Sequence, residues 1–306
     1  MLDPVVWFFV LGAIARMVGS DLRLPGSGSD NLALFLLLAI ALKGGAHMAQ
    51  SPIGAVAATA ASGVVLALLI TAGLFFLLYR AARLARLDAA AVAGHYGSVS
   101  VATFTAATSE LTRLGLGYEP FLPAVLAVME APGLMLALLL AGGVAGKRWW
   151  HDLIAGKTIL ALLGGLVIGA MIGEEGLAPL KLVFFDAFKG ILALYLLDLG
   201  TRAAEQWGLL RGRWLVSAGV GIGVPLLGGL VALQVAQWLS LSQGGQVLFA
   251  ILVASGSYIA APAVFRLARP DANTAYATAL SLGLSFPFNV LVNVPLLIHL
   301  SGGAPG

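Results

Sequence analysis

Cysteine is absent from the 306-residue chain, which excludes disulfides, thiolate metal sites and cysteine nucleophiles. Charge is scarce as well: 10% of residues are Asp, Glu, Lys or Arg, against 60% hydrophobic. A soluble domain carries about 25% charged residues to keep its surface in water. Charges this few cannot cover a soluble surface of this size, whereas lipid-facing helices do not need them. The four histidines, His47, His95, His151 and His299, are too scattered for metal-ligand spacing. No complete Walker-type loop (Gly, four residues, Gly-Lys-Ser/Thr) is present, hence no internal ATP engine. The net charge of +3 is a small surplus on a sparse set and makes no case for nucleic acid.

What is present is a series of apolar runs. A bilayer core takes about 20 mostly apolar residues per helix. By that measure spans fall near 4–19, 31–49, 53–79, 89–109, 120–144, 158–173, 182–200, 214–239, 246–267 and 273–300. The first is read as retained rather than as a cleaved signal, because Asp3 stands where a basic segment should be. Linkers such as 21–30, 80–88, 147–157 and 202–213 are short and polar. Lys and Arg collect on the cytoplasmic side of short loops. Thirteen of the seventeen follow odd-numbered spans, Arg83, Lys147 and Arg202 among them; only Lys43, Arg113, Lys181 and Lys189 go with even-numbered ones. The expectation is an all-α, multi-pass membrane protein with both termini outside.

The halves resemble each other. Gly97-Ser98-Val99-Ser100 lies in span 4 and Ser255-Gly256-Ser257 in span 9, five spans later. Span 5 is interrupted at Pro132 and span 10 at Pro287. A unit of five spans must reappear upside down, which gives two inverted repeats, 1–157 and 158–306, a common plan in secondary transporters. Glycine and proline in spans 4 and 9 favour broken helices, whose freed backbone groups are tolerated only when buried in protein or lining a wet cavity. A half-helix starting there points its N–H groups at the cavity and suits a small anion. Close helix packing selects the same small residues and accounts for either segment alone; two at corresponding positions point to a binding site. Glu130, about ten residues into span 5, is an ionisable group at depth, with a protonated, hydrogen-bonded glutamic acid as the alternative. Proteolytic chemistry fits poorly: no aspartates face each other from neighbouring spans, and His299, downstream of Ser255, falls at the opposite membrane face.

The order and spacing of these segments resemble the sodium-dependent bicarbonate transporter family best known from cyanobacteria. The resemblance runs through Asp88, Gly97-Ser98-Val99-Ser100 and Met129-Glu130-Ala131-Pro132, then Ser255-Gly256-Ser257-Tyr258-Ile259, Pro262, Arg266, Pro270, Asn273, Tyr276, Pro287 and Pro295. It implies ten spans in two inverted repeats, a core domain moving against a gate domain, and a homotrimer. It also implies bicarbonate and sodium at the meeting of the two breaks. Gly97, Ser98, Ser100, Thr103, Ser255, Gly256 and Ser257 then surround the substrate, with sodium at Ser100, Thr103 and Ser257 and with Glu130 and Tyr258 as ion-coupling residues. Two departures stand out. Tyr258 occupies the place of an aspartate in cyanobacterial members, and the loop from Gly146 to Lys157 is short, which counts against a PII-like regulatory partner. The sequence thus points to a permease for a small inorganic anion, with sodium-coupled bicarbonate uptake first. Another anion, proton coupling, or a channel or non-transporting protein on the same scaffold stay open. No catalytic residue and no organic cofactor is expected.

Overall fold

In the computed structural model, residues 3–20, 22–25, 27–48, 51–143 and 156–302 are described. Lys147, Arg148 and His151 lie outside these residues. Every regular element among the described residues is helical. Among the described residues, six segments are long and apolar enough to cross a membrane: Gly28–Met48, Ile53–Ala81, Leu122–Leu140, Lys157–Leu180, Phe188–Trp238 and Thr274–Leu300. The fifth would be far too long as one rod. It divides at Arg213, whose φ/ψ of −142°/46° leaves the helical region. Shorter apolar helices cover Val6–Met17 and Gln243–Ala254. We label the helices α1 (Val6–Met17), α2 (Gly28–Met48), α3 (Ile53–Ala81), α4 (Arg86–Tyr96), α5 (Val101–Arg113), α6 (Leu122–Met129) and α7 (Pro132–Leu140). There follow α8 (Lys157–Leu177), α9 (Phe188–Leu210), α10 (214–238), α11 (Gln243–Ala254), α12 (Ala260–Ala268) and α13 (Thr274–Leu300).

The outer faces are apolar. Leu69, Met171, Leu182 and Trp238 are each more than 60% exposed. Exposed to water, such a belt would be a large unfavourable patch; in lipid it carries no penalty. By contrast α4 and α11 are enclosed by protein, with every residue from Ala89 to Tyr96 and nearly all of 244–254 buried. Ala89-Ala90-Ala91 leaves room for neighbours on every side. The molecule therefore encloses the first half of each broken helix within protein.

Glycine sets the packing of two outer pairs. A Cβ at Gly12 would meet the Leu197 carbonyl at 2.0 Å, and one at Gly200 the Phe9 carbonyl at 2.0 Å, so α1 and α9 lie backbone on backbone. Gly45 and Gly169 join α2 to α8 in the same way. Helix α9 continues ten residues past the expected end of span 7. Arg202 pairs with Asp198 on the same helix at 2.5 Å, and Glu205 pairs with Arg16 and Arg23. The supposed polar linker is thus a helical end tied down by ion pairs.

Candidate functional site

Helices α4 and α5 are separated by residues 97–100, and α11 and α12 by residues 255–259. The two gaps lie against each other. The Ser257 amide donates to the His95 carbonyl at 2.7 Å, and the Ser100 amide donates to Ser255 Oγ at 2.9 Å. Asn289 Nδ2 donates to the Ala254 carbonyl, the last of α11, at 2.9 Å. Ser98 Oγ donates to the Glu130 carbonyl at 2.9 Å, tying the first gap to the interruption between α6 and α7. Backbone freed by unwinding is thus taken up within the protein, as burial away from water requires.

The glycines serve close approach. A Cβ at Gly133 would fall 1.9 Å from the Gly97 carbonyl, and one at Gly97 would fall 1.8 Å from Thr71 Oγ1. Gly256 is less constrained, its nearest contact being Ser281 Cβ at 3.2 Å. Both glycines lie in the packing of the crossing and not on the cavity wall described next.

A hydroxyl offers one donor and two acceptor positions, and the hydrogen bonds fix which remain. Ser100 Oγ caps α5, accepting from the Thr103 amide at 3.2 Å and from Thr103 Oγ1 at 2.9 Å. Both acceptor positions are used, so only its proton remains to offer. Ser257 Oγ accepts from the Ala261 amide at 3.2 Å near the start of α12 and also keeps its proton. Ser255 Oγ donates to the Leu252 carbonyl while accepting from Ser100. Thr103 Oγ1 and Ser98 Oγ have spent their protons and keep acceptor positions.

A small pocket, partly open to the outside, lies at this crossing. Ser100, Val101, Ala102, Glu130, Ser257 and Tyr258 line it, and it extends past Thr158 to Asp30 and Lys157, whose side chains pair at 2.5 Å. Thr103, Ser98 and Ser255 stand behind the wall. Glu130 is 4% exposed, and one of its carboxyl oxygens has no hydrogen-bond partner among the described residues. The arrangement therefore brings donors from Ser100, Ser257 and Tyr258 and the carboxyl group of Glu130 to one pocket. The first turns of α5 and α12 add their positive ends.

Other polar residues weighed in the sequence have local roles. His95 is buried, with Nδ1 2.7 Å from the Ala91 carbonyl and Nε2 3.4 Å from Thr278 Oγ1. Glu110 and Arg113 pair at 2.6 Å, and His47 pairs with Glu174. Lys43 is exposed beside a separate cavity at the other end of α2, which Thr112, Tyr118 and Lys189 also line. Sequence reasoning missed Asn289 and Asn293, whose side chains join at 2.8 Å; two amides four residues apart in an apolar span were a usable signal. It also missed Asp30, Lys157 and Thr158 at the mouth, and Tyr195 behind it.

A family model described as the Na+-dependent bicarbonate transporter superfamily matches residues 4–302. Comparison with curated proteins gives no match.

Proposed function

The chain belongs to the Na+-dependent bicarbonate transporter superfamily, and we propose that it is a secondary active permease that brings bicarbonate into the cell with sodium. The observation that carries the anion is the hydrogen-bond inventory of the cavity. Ser100 and Ser257 have protons to give, and two helix starts face the same space. An oxyanion takes all of these at once. The cation half is supported by Thr103 Oγ1, Ser98 Oγ and the unpartnered oxygen of Glu130, which keep acceptor positions beside the crossing. Sodium at Ser100 would have to displace one of the bonds from Thr103, so on this reading Thr103 and Glu130 contribute more to the cation than Ser100 does.

Ten spans in two inverted repeats, 1–157 and 158–306, fit the packing. The first span lies on the seventh and the second on the sixth. Shifting every span by five within a ring of ten turns the first of these pairs into the second, as a two-fold axis in the membrane plane requires. On this plan α1, α2, α8 and α9 form the gate against which the broken helices move, and the protein assembles as a homotrimer. The cavity opens at the Asp30–Lys157 end, the cytoplasmic side by the positive-inside rule. The short loop before Lys157 speaks against a PII-like partner.

The test is uptake of labelled bicarbonate into proteoliposomes with and without an inward sodium gradient. Uptake that depends on the protein and rises with the gradient is expected. Protein-dependent uptake driven only by a proton gradient would replace sodium by protons, and uptake indifferent to every cation gradient would leave a channel.

A further inference from the structure

Tyr195 lies within α9, in an apolar stretch that gives no sign of function. It is fully buried, and among the described residues its hydroxyl has no hydrogen bond of ordinary geometry. The Tyr258 hydroxyl, in the second gap, is buried too and likewise lacks one. The two hydroxyls are close neighbours, and Ser100 is the other polar neighbour of Tyr258. Both rings belong to one apolar cluster, and Tyr258 packs edge-on against Phe286, centroids 5.9 Å apart at 75°. The rings are therefore held while the hydroxyls are left incomplete. Buried hydroxyls are nearly always paired, so a neighbouring set of two with neither satisfied marks a place that something else completes.

Of the two, Tyr258 lines the cavity and Tyr195 stands behind it. A phenol that accepts one hydrogen bond becomes a better donor of its own proton. We propose that Tyr195 is a positioning residue for the transported anion: its hydroxyl donates to Tyr258, whose proton is thereby aimed at an oxyanion held by Ser100 and Ser257. The chain Tyr195–Tyr258–anion begins on α9, which packs on α1 and α2, and ends in the gap between α11 and α12. Its last bond forms only when the anion is present. Binding thus tightens the contact between the outer helices and the broken ones, and the same hydroxyls that recognise the anion report its arrival to the part that must move. The inference rests on the anion reading above and adds the residue through which the site reads its ligand.

The experiment compares wild type, Tyr195→Phe, Tyr258→Phe and the double variant, keeping all four rings. Two measurements are made on each: bicarbonate KM and maximal rate in proteoliposomes, and the rise in Tm that bicarbonate gives the detergent-solubilised protein. Tyr195→Phe is expected to raise KM by about two- to tenfold, the value of one hydrogen bond between neutral groups, with the maximal rate within about twofold. It should weaken the bicarbonate-induced rise in Tm. In the Tyr258→Phe background the second substitution should change nothing, because Tyr195 acts only through Tyr258. An unchanged KM for Tyr195→Phe, or an equal effect in both backgrounds, overturns the proposal. Wild type that is stabilised by bicarbonate but does not carry it would defeat the transport reading alone, leaving Tyr195 to be judged on the shift in Tm. Wild type that neither binds nor carries bicarbonate defeats both.

Discussion

The amide of Ser100 donates to the hydroxyl of Ser255 at 2.9 Å across 155 residues of chain, and the amide of Ser257 returns the connection to His95 at 2.7 Å. The two gaps satisfy each other. Ser255→Ala removes one acceptor and leaves a buried amide unpaired, a loss of about 1–3 kcal/mol. A fall in the thermal unfolding temperature of the detergent-solubilised protein is the expected outcome. An unchanged temperature would mean that the Ser100 amide has another acceptor.

Gly133 supports the same crossing from behind. Gly133→Ala puts a methyl into the Gly97 carbonyl, 1.9 Å away, where backbone faces backbone and nothing flexible can yield. Overpacking of this kind costs about 1–3 kcal/mol or more. Gly164→Ala in α8 is the control, since nothing lies within 4 Å of its added Cβ, and a helical Gly→Ala change gains up to about 1 kcal/mol. Unfolding temperatures of the two variants should move in opposite directions.

Glu130 is a carboxyl group with an unpartnered oxygen in the wall of the cavity. Glu130→Gln keeps its shape and removes the charge it can carry. A buried charge of this kind is costly and is found where it has a use. Bicarbonate uptake should fall at least about tenfold, or about 1.4 kcal/mol, while the unfolding temperature stays near that of the wild type. Full uptake by a folded variant would assign Glu130 to packing.

The absence of cysteine makes orientation simple to measure. On the proposed orientation, which puts both termini outside, Arg83→Cys should resist an impermeant maleimide added to intact cells, and Lys181→Cys should react. Labelling at 83 would invert the orientation and place the Asp30–Lys157 mouth outside.

Much of this molecule is legible in one dimension because a bilayer asks a one-dimensional question. Whether about 20 residues in a row are apolar enough to cross is a property of the string, and so is the bias of Arg and Lys between alternate loops. The breaks in spans 4 and 9 follow for the same reason, since glycine, serine and proline act on the backbone locally. The ends of helices are less local. Helix α9 runs on to Leu210, where Arg16 and Arg23 reach Glu205 from far away in sequence.

The sequence by itself determined that the chain is helical, membrane-bound and broken at Gly97–Ser100 and Ser255–Ser257. Only the tertiary structure decided what each hydroxyl can still do. Ser100, Thr103 and Ser98 each bring one hydroxyl, and the sequence does not tell their roles apart. Their difference arises because Ser100 accepts two hydrogen bonds, whereas Thr103 and Ser98 each donate one. The fold also chose which tyrosine matters. Tyr195 and Tyr258 lie 63 positions apart, and nothing in either neighbourhood announces the other. Hydrogen bonding acts over about 3 Å of space with no regard to distance along the chain, so a site made of such bonds becomes visible only once the helices are packed.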